Sequence, residues 1–282
     1  MSSDRPKPDQ AKASTKRTGF ATRLQEALPV REAPSVREGE PSRPIAGNEA
    51  SGADEQPARV NPMSPVEPPA AEKLLAYAAS TAAEDEPTRQ ARLASAELGV
   101  PSVEPSVGAV LALFAASASA KAVVEIGTGA GVSGLWLLRG MRPDGVFTTI
   151  DADPSCHKVA KAAFAAAHIP AGRTRLITGK AQEVLPRLAD GAYDLVHIDA
   201  EPTEQPHLIA EAVRLLRPGG VLAVHAALHA GAVLDPDRHD RAAVAGREAA
   251  RAIAEDERLL HILVPFGEGL LVAAVRHEPV ER

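Results

Sequence analysis

A single cysteine, Cys156, is all that the 282-residue chain contains, so no internal disulfide and no cysteine-based metal cluster can form. Aromatic residues are almost as scarce: five Phe, two Tyr and one Trp. The balance of charge is acidic, with a formal net charge of −6. A nucleic-acid surface wants the opposite, a basic patch and stacking rings, and is excluded as a partner. No apolar run is long enough to span a bilayer. The first thirty residues lack the apolar core of a signal peptide. These absences lead us to expect a soluble cytoplasmic protein that neither enters membranes nor binds nucleic acid.

What is present is unevenly distributed. Residues 1–70 hold 11 of the 24 prolines and one aromatic, Phe20. They show no sustained periodicity, apart from a brief helical pattern at Phe20, Leu24 and Leu28. Such a segment buries too little apolar surface to offset the entropy of ordering it. The first 23 residues carry six Lys/Arg against two Asp, the pattern of a solvated tail. We therefore read 1–70 as a disordered Pro-rich tail and 71–280 as one domain of ordinary size.

Within that domain, helical and strand patterns alternate. Helices are expected at 71–83, 88–97 and 107–117, the third opened by Pro105-Ser106. Strands are expected at 122–126, 146–150, 174–178, 193–198 and 221–225. Between them come helices at 133–138, 155–167, 181–188 and 206–216, the last stopped by Arg217-Pro218-Gly219-Gly220. A charged helix, 241–257, precedes a hairpin of 259–265 and 270–276 around Phe266-Gly267-Glu268-Gly269. Short apolar strands alternating with helices predict an α/β fold. It is Rossmann-like, a doubly wound sheet of seven strands with a terminal antiparallel hairpin.

The most informative stretch is Val123 to Gly134, a buried strand running through a glycine turn into a helix. Glycines at 127, 129 and 131 let the backbone bend sharply and approach a ligand closely. The helix that follows aims its free amide N–H groups at the same place. A dinucleotide fingerprint wants glycines at the first, third and sixth positions of the turn. Counted from Gly127, the sixth is Val132, and the third glycine falls one place early. That spacing, after the acidic Glu125, resembles the first motif of S-adenosylmethionine-dependent methyltransferases.

In open α/β sheets, ligands bind beyond the carboxyl ends of the strands. The residues there are Asp151-Ala152-Asp153, Gly179-Lys180-Ala181-Gln182, Asp199-Ala200-Glu201 and His225-Ala226. Six segments then carry a family resemblance: EIGTGAGVSGLWLL (125–138), FTTIDADP (147–154), GKAQEVLPRL (179–188), YDLVHIDAE (193–201), RLLRPGG (214–220) and GEGLLVAAV (267–275). From about 72 to 277 the chain resembles the caffeoyl-CoA and catechol O-methyltransferase family, particularly its bacterial members, which have the class I methyltransferase fold.

The resemblance implies a cofactor site for S-adenosyl-L-methionine. Glu125, Gly127, Thr128 and Gly129 would hold the methionine end and the turn, with Val103 lining it. Ser133 would bond the amino-acid portion. Asp151 would take the ribose hydroxyls, and Ala181 would meet the adenine. Asp199 would face the active centre, and Glu201 stands where the family usually has Asp. A homodimer is implied as well.

The match breaks at the metal. Family members hold one divalent ion through the Asp ending the fourth strand and an Asp-Asn pair ending the fifth. The ion lowers the pKa of a phenolic hydroxyl. Here Asp199 is kept, but the pair is His225-Ala226, and a lysine that serves as general base corresponds to Pro202. One carboxylate and an imidazole suit magnesium poorly, and form at most an incomplete site for zinc or iron. No metal ligand is therefore assigned and a divalent metal is doubtful, which leaves Asp199 and His225 as the catalytic candidates, with His229 a second imidazole that reads as a loop residue. The expected activity is methyl transfer from S-adenosylmethionine to a hydroxyl of a small phenolic or catechol-like acceptor. The alternative is a catalytically inactive S-adenosylmethionine-binding protein with a regulatory or assembly role.

Overall fold

The computed structural model describes residues 71–277, so the expected tail at 1–70 lies outside the described residues. Three helices come first: α1 (Ala71–Ser80), α2 (Glu86–Leu98) and α3 (Pro105–Ser117). There follow β1 (Ala122–Ile126), α4 (Val132–Gly140), β2 (Val146–Asp151), α5 (Pro154–Ala166), β3 (Thr174–Thr178) and α6 (Ala181–Val184). The rest is β4 (Tyr193–Ile198), α7 (Gln205–Leu215), β5 (Leu216–His225), α8 (Arg241–Glu255), β6 (Leu259–Val264) and β7 (Leu270–Val275).

Caps explain several of these boundaries. Asp85 accepts the Thr88 N–H at the start of α2, Asp153 that of Ser155 at α5, and Asp240 that of Ala243 at α8. Gly99 ends α2 at φ +70°.

The seven strands form one sheet in the order β3-β2-β1-β4-β5-β7-β6. The first five are mutually parallel, and β7 runs antiparallel between β5 and β6. This is the doubly wound sheet with a terminal hairpin that the alternation of elements predicts. Both faces are covered. Val123, Leu195, Ala223 and Val272 pack with the α3–α5 side of the core. Val124, Val196, Leu222 and Ala273 pack with the α7–α8 side. Two buried faces explain why the central strands read as near-continuous apolar runs.

Two elements depart most from the expected spans. The helix expected at 181–188 is only Ala181–Val184, followed by a 3₁₀ turn over Leu185–Arg187. Pro186 lacks an N–H and its ring crowds the preceding turn, so the α-helix stops before it. Strand β5 starts at Leu216 rather than Val221. Leu216 pairs with Tyr193 and Val221 with Leu195, so Arg217–Gly220 loops out within the strand.

One row of the sheet is polar. The register sets Thr149, Glu125 and His197 side by side on β2, β1 and β4. All three are fully buried. Thr149 Oγ1 donates to Glu125 at 2.8 Å, and His197 Nδ1 lies 3.3 Å from the other carboxylate oxygen. The chain continues from Thr149 to Thr128 at 2.7 Å, from Thr128 to His157 Nε2 at 3.1 Å, and from His157 Nδ1 to Thr178 at 2.9 Å. Because Thr149 gives its proton to Glu125, Thr128 donates to Thr149 and His157 Nε2–H donates to Thr128. Burial lowers the pKa of His157, against the opposing charges of Asp151 and Asp153.

Candidate active site

The carboxyl ends of β1, β2, β4 and β5 open onto a cleft of about 650 Å³. The glycine turn forms its floor. Gly127, Gly129 and Gly131 all have positive φ, at +96°, +48° and +87°. A Cβ on Gly127 would stand 2.0 Å from the Asp199 carbonyl oxygen, so the turn is pressed against the end of β4. A Cβ on Gly129 would meet nothing within 4 Å and would project into open space instead.

Asp151, at the end of β2, holds this turn. Its Oδ2 accepts the N–H groups of Thr128 at 2.9 Å and Gly129 at 3.1 Å, and its Oδ1 accepts that of Asp153 at 2.9 Å. A carboxylate has about four acceptor positions, and three of them are committed to the backbone here. Cys156 lies beneath it. Burial first, then the charges of Asp151 and Asp153, pushes the thiol up to about 11, which keeps it protonated and inert.

The opposite side of the cleft belongs to β4 and β5. His225 Nδ1 is 2.9 Å from Asp199 Oδ1. The His225 side chain is 10% exposed and that of Asp199 27%. Burial alone would raise the Asp199 pKa, but the hydrogen bond and charge of His225, with a smaller pull from His197, hold it below the usual carboxylate range. Burial would likewise lower His225, but its bond to Asp199 and the charges of Asp199, Glu268 and Glu104 raise it above the ordinary histidine value. The pair can therefore orient an imidazole for proton exchange.

Of the residues singled out from sequence, Val103, Gly127, Thr128, Gly129, Ser133, Asp151, Ala181, Asp199, Glu201 and His225 all line this cleft. Glu125 does not. Its side chain is fully buried in the polar row under the turn, bonded to Thr149 and His197. The structure places it beneath the turn and not on the cleft wall, because alternate residues of a strand share a face and Glu125 follows Val123 on the α3–α5 side.

Sequence reading also missed part of the wall. Glu268, in the β6–β7 turn, lines the cleft. It arrives there because the Ala227 N–H donates to the Gly269 carbonyl at 3.0 Å and the Leu228 N–H to the Glu268 carbonyl at 2.9 Å. Within this loop Ala226, His229 and Ala230 have φ of +55°, +46° and +51°. Alanine gives no sequence signal for such a backbone. His229 also reaches the cleft, but its ring is wedged against Gly246 of α8, and its Nε2 has no partner among the described residues.

The upper wall is the α2–α3 connection. Arg92 is paired with Glu84 and donates to Ser102 Oγ at 2.9 Å, one residue before Val103. Among the described residues, no group of three or more His, Cys, Asp or Glu is arranged to hold a metal ion, and no helix is long and apolar enough to cross a membrane.

The family model described as O-methyltransferase matches residues 82–276. A protein of Mycobacterium sp. (strain JLS) that is named as an O-methyltransferase is 55% identical over 207 residues, covering 73% of this chain and 94% of that protein. A crystal structure from Corynebacterium glutamicum superposes with a TM-score of 0.70 at 31% identity, covering 74% of this chain and 99% of that one. The O-methyltransferase TomG from Streptomyces achromogenes, solved in complex with SAM, gives a TM-score of 0.66 at 30% identity, over 73% of this chain and 96% of that one.

Proposed function

The chain belongs to the O-methyltransferase family, and from that premise we propose that it moves a methyl group from S-adenosylmethionine to a hydroxyl of a small phenolic acceptor, with His225 as the proton acceptor. The observation that carries this reading is the His225–Asp199 pair facing the glycine turn across one cleft.

The cleft suits the cofactor. Gly129 leaves open space where a side chain would stand, Asp151 lines the cleft at the end of β2, and Ser133 presents a hydroxyl at the start of α4. When bound, S-adenosylmethionine supplies an electrophilic methyl group and a neutral thioether leaving group. The chain's own work is then orientation and one proton. Asp199 holds the Nδ1–H of His225, which leaves Nε2 to take the proton from the acceptor hydroxyl as its oxygen becomes nucleophilic. Asp199 stabilises the imidazolium so formed.

A divalent ion does not fit this reading. The donor set is one carboxylate and one imidazole, already bonded to each other, with Ala226 beside them. Magnesium wants a near-octahedral cage of oxygens. We further propose a cytoplasmic homodimer, on the strength of the family resemblance.

The test is methyl transfer from labelled S-adenosylmethionine to a panel of phenols and catechols, beside calorimetry with S-adenosylhomocysteine. Turnover that is lost in His225→Asn supports the assignment. Tight S-adenosylhomocysteine binding without turnover on any acceptor favours the non-catalytic alternative.

A further inference from the structure

We infer that Gln205, which does not line the cleft, is a positioning residue: its side-chain amide ties the ends of β4 and β5 together and so sets the distance between Asp199 and His225. The inference rests on the proton-transfer role proposed for that pair and adds the residue that holds it.

The sheet does not fix this distance by itself. β4 and β5 pair in parallel as far as Ile198 and Val224, where the register ends. Asp199 and His225 are the next residues, one after each strand's last paired position. Each is held on its outer side. The Asp199 N–H donates to the Ile126 carbonyl of β1 at 2.8 Å, and His225 pairs with Leu270 of β7. Those two anchors belong to different neighbours, so they do not lock the pair to each other.

Gln205 supplies that tie. It is the first residue of α7 and is 1% exposed. Its Nε2 donates to the Ala200 carbonyl at 3.3 Å and to the His225 carbonyl at 3.2 Å, one beyond the end of each strand. Two carbonyls facing one amide accept only from its NH2 group, so the chemistry fixes which way the side chain points. The bridge extends the hold between β4 and β5 one step past the last paired residues, to the step that carries the pair.

The other end of the amide gives an independent observation. Gln205 Oε1 is buried and has no hydrogen-bond partner among the described residues. A buried acceptor without a donor is destabilising. Methionine would fill the same space without that cost, so packing alone does not account for glutamine here. What the amide adds is geometry: it holds the His225 backbone where the imidazole Nδ1 sits 2.9 Å from Asp199.

The first test needs no turnover. In the full chain labelled with nitrogen-15, the side-chain amide protons of Gln205 should be protected from solvent exchange. The Nδ1–H of His225, assigned by its loss in His225→Asn, should resonate downfield as a hydrogen-bonded imidazole proton. Gln205→Met keeps the length of the side chain but donates nothing. In that variant the His225 signal should move upfield or vanish into solvent exchange. The melting temperature should change little, because the unpartnered acceptor is removed together with the two bonds. Gln205→Asn, one methylene too short to bridge both carbonyls, should shift the His225 signal in the same direction.

The second test is kinetic, on whichever phenol or catechol of the panel the unmodified protein methylates. In Gln205→Met, kcat should fall about tenfold while KM for S-adenosylmethionine stays within about twofold, because a displaced base loses alignment without disturbing the cofactor's own contacts. Rapid exchange of the Gln205 amide, an unmoved His225 signal in folded Gln205→Met, or an unchanged kcat each overturn the inference. If Gln205→Met does not fold, the amide exchange of the unmodified protein decides. If no acceptor is methylated while the His225 signal moves as expected, the methyl-transfer reading fails and the positioning role of Gln205 stands.

Discussion

Gly127 and Asp199 meet backbone to backbone. The Asp199 N–H donates to the Ile126 carbonyl at 2.8 Å, and a Cβ on Gly127 would lie 2.0 Å from the Asp199 carbonyl oxygen. The turn proposed to hold the cofactor and the carboxylate proposed to orient the base are thus one packed unit. Gly127→Ala should cost at least about 2 kcal/mol, because it combines a positive φ with a direct backbone clash. Gly129→Ala, with φ +48° and open space around it, should cost about 1 kcal/mol yet still weaken S-adenosylhomocysteine binding, since its methyl enters the cleft. Urea melts and calorimetry on both variants check this. Equal stability loss in the two would contradict the packing argument.

Asp151→Ala should have two effects. It strips an acceptor proposed for the ribose hydroxyls, lowering S-adenosylhomocysteine affinity by about 1–3 kcal/mol. It also frees the N–H groups of Thr128 and Gly129, so the melting temperature should fall even without ligand. Asp151→Asn, which keeps one carbonyl acceptor, should recover part of the stability but less of the affinity.

The raised pKa of His225 and the lowered pKa of Asp199 set opposite pH dependences. The contribution of His225 to stability is complete below its unfolded value of about 6.5 and is lost as pH rises through the higher folded value. That of Asp199 is complete above its unfolded value of about 3.9 and is lost as pH falls through the lower folded value. The pair should therefore stabilise the fold most between about pH 4 and 6.5. Activity should run the other way across neutrality. The base must be neutral, so kcat/KM should rise with pH along a limb centred above 6.5. Asp199→Asn should move that limb to lower pH, a shift read from the kcat/KM profile.

Chelation should leave the methyl-transfer rate unchanged, and added magnesium should not raise it. The double change His225→Asp with Ala226→Asn should create measurable divalent-ion affinity beside Asp199. Position 226 already has φ +55°, a conformation asparagine tolerates better than alanine. Titration calorimetry with magnesium and manganese on both proteins checks it. Loss of natural activity to a chelator, with recovery on magnesium, would falsify the metal-free reading.

Much of the molecule is legible from local pattern. The glycine spacing 127-129-131, the acid ending β2 and the turn at 266–269 are short-range signals, and each marks a real boundary, whereas Arg217-Pro218-Gly219-Gly220 falls just past the end of α7, inside β5. The alternation of apolar strands with helices dictates the parallel sheet, because only a sheet covered on both faces buries such runs. Asp199 and His225 stand out from sequence because they end neighbouring strands, and strand ends are where an open α/β sheet holds its ligands.

Other features exist only through long-range contact. Glu125 reads as a ligand residue beside the glycine turn, but the register of β2, β1 and β4 turns it into a buried partner of Thr149 and His197. No local rule reports which residues a strand will find across a sheet. Glu268 lies 43 positions after His225 in the chain, and two backbone hydrogen bonds between the 226–229 loop and the hairpin turn bring it to the same cleft. The sequence by itself determined the elements, their order and the chemistry at the strand ends, since these follow from periodicity, turn residues and capping. The tertiary structure alone decided which acids are spent on the backbone, which line the cleft, and which imidazole nitrogen faces it, because those depend on pairings between residues far apart in the chain.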